Sequence, residues 1–284
     1  MTDAHATPGA AGDPAAPLTD AAAARAARAA RAPVLSIRNV TKVFGGDVIA
    51  LRGMSLDVRQ GDFISLLGPS GCGKSTALRL VAGLTHPTAG KIAWEGQGAG
   101  PDEGGLGVVF QEPTLMPWAT VEHNVWLPLR LKGRRFADCK ADIDDALATV
   151  GLSGFGKAYP RELSGGMKMR VSIARAMVTK PRLILMDEPF AALDEITRFK
   201  LNNDLLAMRA KLNCTVIFVT HSVFESVFLS DRIVVMAARP GRVIAELNVD
   251  EPYPRTEDFR TSADYAAQCR ATSDALGLAM EGAH

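Results

Sequence analysis

Three short stretches carry residues whose types and spacing could do chemistry. The first, GPSGCGKST at residues 68–76, fits G-x-x-x-x-G-K-[ST], with Gly68, Gly73, Lys74 and Ser75 at the fixed places. Pro69, Ser70, Gly71 and Cys72 fill the turn, and the backbone N–H groups from Gly71 to Thr76 can point inward around a β-phosphate. The helix that follows would add its dipole in favour of an anion. Lys74 would bridge β- and γ-phosphates, and Ser75 would offer its hydroxyl to Mg2+. The second stretch is RLILMDEPF, in which four apolar residues place Asp187 at the carboxyl end of a buried strand, where open α/β sheets put their ligands. Asp187 could hold Mg2+ through its water shell. Glu188, facing the other way by strand alternation, could orient and deprotonate a water attacking the γ-phosphate.

The third stretch, RELSGGMKMR at residues 161–170, sets Ser164 before the pair Gly165 and Gly166 and so opens another helix with an anion-favouring amino end. Such an end is useful only if it faces a phosphate, and spacing alone does not say which. Cys72 has two readings. At a helix start its thiol could have a lowered pKa and be reactive, or it could be a small residue filling the loop.

These residues need strands that end where the chemistry sits. FISLL precedes the first loop and TALRLVAGL follows it, giving the strand and helix that a phosphate loop requires. FISLLG, LILMD and TVIFVT are continuous apolar runs separated by helix-length segments, which predicts a mainly parallel sheet with helices on both sides. Leu35 and Ile37, then Met54, Leu56 and Val58, alternate as an antiparallel layer would, and IVVMA and RVIAELNV close the core near residue 250. Residues 1–32, rich in Ala with Arg25, Arg28 and Arg31, hold almost nothing large to bury and read as a tail. TEDFRTSADYAAQCRATSDALGLAM reads as one or two polar helices.

Composition narrows the function classes. The chain has 284 residues, 47% apolar, enough for a full α/β core and an inserted subdomain. Thirty-two basic against 31 acidic residues give a net charge of +1, which does not favour nucleic acid. The four cysteines form no CxxC pair, against a zinc site or disulfide framework, and no apolar run reaches the roughly 20 residues that cross a bilayer.

With these motifs in this order, residues 34 to about 250 resemble the ATP-binding subunits of ABC transporters. The resemblance implies a P-loop NTPase core over residues 33–255 with a helical subdomain at about 112–166, followed by a helical tail at 256–284. It also implies ATP and Mg2+ as ligands. Phe44 matches the aromatic position that stacks on adenine, and Gln111 in VVFQEP matches the glutamine that reaches toward the metal and the attacking water. LSGG matches the family signature, AALD matches the loop ending in Asp194, and His221 matches the switch histidine at the γ-phosphate. In that family the signature closes over the ATP of a partner subunit, so a homodimer sandwiches two nucleotides head to tail. The helical subdomain there receives a short helix from an integral membrane permease. LMPWATVEHNV, DEITR and VMAARPGRV look most like importers of nitrate, sulfonate, taurine and related solutes. This likeness implies an extracytoplasmic solute-binding protein and a peripheral place on the cytoplasmic face of the inner membrane. Met116, Trp118 and Trp126 belong either to the permease surface or to the core.

Three positions depart from the commonest pattern of the family. Met167 and Met169 stand where glutamine is usual, and Ser222 stands where aspartate is common. None removes a catalytic group. An exporter subunit would carry the same core motifs, whereas a soluble ABC-type ATPase acting on nucleic acid should show paired cassettes, a coiled-coil insertion or a basic face. A small-molecule P-loop kinase would have no reason to carry LSGG.

Overall fold

A computed structural model describes residue 23 and residues 25–96, 100–103, 105–212 and 214–281. Two sheets form. The first is antiparallel, in the order β2-β1-β4, from β1 (Pro33–Phe44), β2 (Val48–Arg59) and β4 (Ala89–Trp94). The second has the order β5-β6-β7-β3-β8-β9, from β3 (Phe63–Leu67), β5 (Leu106–Val109), β6 (Leu183–Asp187), β7 (Thr215–Thr220), β8 (Arg232–Ala237) and β9 (Arg242–Asn248). Its pairings are parallel except for β9 against β8. The α/β class expected from the alternation of apolar runs and helices is the one observed.

Period-2 alternation explains how the apolar runs serve two cores at once. Ile64, Leu66, Leu183, Leu185, Ile217, Val219, Val234 and Met236 point to one face, where they pack with β1, β2 and the helix α1 (Lys74–Val81). Phe63, Leu67, Ile184, Met186, Val216, Phe218, Ile233 and Val235 point to the other. That face is covered by α2 (Val121–Leu131), α3 (Lys140–Thr149), α4 (Gly165–Met177), α5 (Glu195–Leu212) and α6 (Val223–Leu229). Each of these large side chains contributes about 1.5–3 kcal/mol by leaving water. Phe218 touches the rings of both Phe63 and Phe190 at centroid distances of 5.9 and 5.8 Å, so truncation to alanine there would open a core cavity costing about 3–5 kcal/mol.

The described residues on either side of the core are more firmly seated than their composition suggests. The expected tail at 1–32 lies mostly outside the described residues, but Arg28 is buried and donates to the Asp231 carbonyl oxygen at 3.2 Å, while Arg25 pairs with Asp250. The carboxyl-terminal segment forms α7 (Glu257–Thr261) and α8 (Ala263–Glu281), which bury Phe259, Tyr265, Cys269 and Ala279. Arg255 anchors it, donating to the carbonyl oxygens of Val227, Phe228 and Ser230, each at 2.9 Å, where α6 ends and its carbonyls need donors. What read as polar helices is therefore an amphipathic cover.

Candidate functional site

Register puts the predicted chemistry at one edge. Val109 pairs with Met186, Asp187 with Val219, and Thr220 with Leu67, so β5, β6, β7 and β3 end at nearly one level. Gln111 follows the first, Asp187 and Glu188 the second, His221 the third and the loop 68–76 the fourth. This is the carboxyl edge of an open α/β sheet, where adjacent loops leave a crevice.

The loop turns into α1 at Gly73, whose φ of 92° lies in the left-handed region. A Cβ there would also come within 2.7 Å of the Ala50 carbonyl oxygen, so both backbone and space require glycine. This contact seats the β1–β2 hairpin against the loop, and Phe44 stands at the hairpin's end, paired with Val48. Phe44 is 41% exposed, with the Lys42 ammonium 5.0 Å from its ring centroid. Lys74 is buried and donates to the carbonyl oxygens of Gly68 at 2.8 Å and Pro69 at 3.2 Å. It also lies 3.8 Å from Glu188 Oε1. Ser75 Oγ donates to Asp187 Oδ1 at 3.1 Å, joining the loop to β6.

Glu188 departs from the expected geometry in an informative way. It does not continue the strand; its φ is 46°, an uncommon conformation for a residue with a side chain. A left-handed turn, rather than strand alternation, separates its carboxylate from that of Asp187. The Glu188 N–H still donates to the Val219 carbonyl at 3.0 Å, and Oε2 reaches His221 Nδ1 at 3.5 Å. Burial pushes the pKa of Asp187 up, the neighbouring Glu188 charge adds to this, and the Ser75 hydroxyl opposes it.

Cys72 resolves against the reactive reading. Its side chain is fully buried, and burial raises its thiol pKa more than the nearby Lys74 charge lowers it. It packs under the loop as a small apolar residue.

The remaining predicted residues form a second group. Ser164 caps α4, its Oγ accepting from the Met167 N–H at 3.3 Å, and Ser164 and Gly165 are exposed. A Cβ on Gly166 would approach Thr197 Cγ2 to 2.8 Å, so the absence of a side chain lets α4 meet the start of α5. Asp194 caps α5 by accepting from the Thr197 N–H at 2.9 Å, a bond that holds its carboxyl below the usual range. The signature and the Asp194 loop are thus neighbours on one surface. Among the described residues, no hydrogen bond or ion pair joins Phe44, Gln111, Asp194 or Ser164–Gly166 to Lys74, Ser75, Asp187 or Glu188. Of the two methionines, Met169 is core and Met167 packs half-buried beside it. Ser222 caps α6, with its Oγ accepting from the Glu225 N–H at 3.3 Å, the role that an aspartate would fill.

Sequence reasoning passed over several residues here. Glu225, on α6, accepts from Thr220 Oγ1 at 2.5 Å and lies 3.5 Å from Arg198 Nε; burial raises its pKa. With Glu188 and His221 these three line a small cavity. Arg175, near the end of α4, donates to the carbonyls of Pro113 at 2.8 Å and Thr114 at 2.9 Å, fixing the loop just beyond Gln111. The partners in these contacts are separated by 5 to 62 residues, and no short motif announces them.

Fold and loop together define a nucleotide-binding protein of the P-loop α/β class. A family model described as ABC transporter matches residues 51–191. The nitrate import ATP-binding protein of Synechocystis sp. is 42% identical over 239 residues, covering 80% of this chain and 88% of that protein. The aliphatic sulfonates import ATP-binding protein of Bacillus cereus is 41% identical over 227 residues, covering 79% and 89%. The dimeric post-hydrolysis state of an ATP-binding cassette bound to ADP and Pi has a TM-score of 0.65 at 31% identity, covering 76% of this chain and 98% of that one. The chain belongs to the ATP-binding subunits of ABC transporters, ATPases coupled to transport.

Proposed function

We propose that this chain hydrolyses ATP to power uptake of a small solute of the nitrate, sulfonate and taurine class through separate permease subunits. In this reading it sits on the cytoplasmic face of the inner membrane and works with an extracytoplasmic solute-binding protein. The observation that carries the hydrolytic part is the convergence of Lys74, Ser75, Asp187, Glu188 and His221 at one sheet edge, with Ser75 bonded to Asp187 and Glu188 within ion-pair reach of both Lys74 and His221.

Loop N–H groups from Gly71 to Thr76 and the Lys74 ammonium bind the β- and γ-phosphates of ATP. Binding exchanges the bonds of Lys74 to its own loop carbonyls for bonds to phosphate oxygens. Phe44 stacks on adenine from the hairpin end. Ser75, Asp187 and Gln111 offer hard oxygen atoms suited to Mg2+, and the raised pKa of Asp187 fits a carboxylate placed for a cation. When bound, the ion supplies positive charge at the β- and γ-phosphate oxygens. Glu188 takes the proton of the attacking water as its oxygen bonds to γ-phosphorus and the bond to the ADP oxygen breaks. His221 contacts the γ-phosphate and, through Glu188, fixes where that base points. Ser164, Gly165 and Gly166 face the nucleotide of a second copy, with Asp194 beside them. The domain division belongs to the same proposal: core 33–255, helical subdomain at about 112–166, helical tail 256–284.

In this proposal the permease-facing surface lies on the helical subdomain. Trp118 is 77% exposed there, beside Met116, Trp126, Arg130 and Tyr159, an aromatic patch of the kind that marks interaction sites. Cells lacking this chain should lose uptake of nitrate, taurine or an alkanesulfonate, and regain it with the wild type but not with Glu188→Gln. Purified Glu188→Gln should bind ATP while its turnover falls by roughly 10² or more, and ATP with Mg2+ should hold it as a dimer on gel filtration. Unchanged uptake of all three solutes in the deleted cells would overturn the import reading. Monomeric, ATP-loaded Glu188→Gln would overturn the sandwich.

A further inference from the structure

A cavity of about 630 Å3 lies between α5, α6 and the carboxyl-terminal helices, and none of the motifs above accounts for it. Asn202, Phe228 and Tyr265 form its floor, with Asn202 only 3% exposed, and the exposed rings of Phe199 and Phe224 form its rim. Three polar atoms of lining residues are buried without a hydrogen-bond partner: Arg198 Nε, Asn202 Oδ1 and Arg260 Nε. The Arg198 nitrogen is 3.5 Å from Glu225 Oε1 but makes no hydrogen bond to it. Arg260 spends another nitrogen on Asn203 Oδ1 at 3.1 Å and stacks over Phe228 at 3.6 Å from the ring centroid. Buried orphans are uncommon in folded proteins, and these three belong to residues that line one cavity, beside the guanidinium groups and rings that a ligand there would meet.

The lining defines a chemical class. Two guanidinium donors suit a carboxylate, the aromatic rings suit a flat apolar body, and the amide oxygen of Asn202 suits a hydroxyl donor. Glu195 and Glu225 also line the cavity and balance the two arginines, which disfavours phosphates and other multivalent anions. The size fits a small organic molecule. One wall is shared: Arg198, Ser222 and Glu225 line both this cavity and the smaller one holding Glu188 and His221. A carboxylate that takes up Arg198 competes with Glu225 for it and leaves added negative charge beside the position of the γ-phosphate.

We propose that this cavity is a regulatory site for a small aromatic carboxylate carrying a hydroxyl group, and that its occupation opposes ATP in the adjoining phosphate site. The opposition rests on the placement of the γ-phosphate near His221; the binding does not.

The test uses the full chain, with 4-hydroxybenzoate as the probe and 4-hydroxybenzyl alcohol as its uncharged counterpart. Calorimetry should give a Kd on the order of 0.1–1 mM for the carboxylate, a strength ordinary for a ligand of this size, and at least tenfold weaker binding for the alcohol. Arg260→Gln and Asn202→Leu should each weaken the carboxylate about tenfold or more. Phe224→Ala, which removes a ring only at the exposed rim, should weaken it as well without involving the buried groups. Saturating probe should weaken a non-hydrolysable ATP analogue threefold or more, and the analogue should weaken the probe by the same factor. Equal affinity for carboxylate and alcohol, no binding up to about 10 mM, or unchanged affinity in all three variants would overturn the site. Normal probe binding with no reciprocal effect would overturn the regulation alone. Failure of the wild type to bind the analogue without probe would instead count against the ATP-site reading.

Discussion

Replacing Gly165 with aspartate should make the protein more stable and less active. Gly165 is the first residue of α4, and a Cβ there meets only Leu193 Cδ2, at an ordinary 3.5 Å, so the chain's own fold has room for it. Removing a helical glycine and adding a carboxylate to the first turn together favour folding by about 0.5–1.5 kcal/mol. For a chain of this size that raises the melting temperature by about 1–5 °C. In the dimer the same carboxylate would stand near a partner's γ-phosphate. At about 4 Å and an effective dielectric of 20, each pair of unit charges repels by about 4 kcal/mol, or on the order of 10³ in closure. Scanning calorimetry and steady-state ATPase on one preparation read both effects, and ATP binding by the isolated variant should stay near normal. Mixing with Lys74→Ala chains sharpens the result, since each mixed dimer then has one composite site with an intact lysine loop and an intact signature. Recovery on mixing is expected, with wild-type mixtures as controls for subunit exchange and for activity of a single site. With those controls positive, the absence of recovery would refute the assignment of Ser164–Gly166 to the other chain, and wild-type ATPase in Gly165→Asp alone would do the same.

Ser222→Ala should cost about 0.5–2 kcal/mol by removing the α6 cap, seen as a melting temperature lowered by a few degrees, whereas Ser222→Asp should leave it within about 1 °C. Because burial raises the Cys72 thiol pKa, a maleimide at pH 7 should label Cys72 in the folded protein at least about 10²-fold more slowly than in denaturant, as read by mass spectrometry; rapid labelling of native protein would contradict its burial. Asp187→Asn should raise the melting temperature in EDTA at pH 7. The sign follows from the raised folded-state pKa of Asp187: the folded wild type holds that proton more tightly than the unfolded chain and so loses stability as pH rises from the usual carboxylate range. The advantage of the variant should therefore vanish below about pH 4, and its absence at pH 7 would refute the account.

What could be read from the sequence was local. Gly68 to Thr76 show their purpose because a phosphate dictates backbone shape over nine consecutive residues, and LILMD ending in a carboxylate shows where a strand stops. Ser164, Asp194 and His221 needed the order of a family, since a serine, an aspartate or a histidine by itself specifies nothing. The left-handed turn at Glu188 was hidden because its cause is tertiary: the Val219 carbonyl and the His221 ring fix it from another strand. The pairing of Arg198 with Glu225 was hidden for the same reason, as was the seating of Arg28 against Asp231, 203 residues away. The carboxyl-terminal helices looked polar because their few apolar residues are spread thinly over one face, and only the end of α6 gives that face something to cover.

Helix α4 has a consequence that reaches across the dimer. Its first turn carries the exposed Ser164 cap and Gly165, while Arg175 near its other end grips the carbonyls of Pro113 and Thr114, next to Gln111. Thirteen residues of α-helix make a stiff rod about 20 Å long. A rod cannot be pushed at one end and stay still at the other. In the proposed dimer the end at Ser164 would rest on the neighbour's phosphate, while the Arg175 end holds the loop that follows Gln111 in its own chain. The two nucleotides of the proposed pair would then be in mechanical series, and loading or emptying either one would pull the other's glutamine loop.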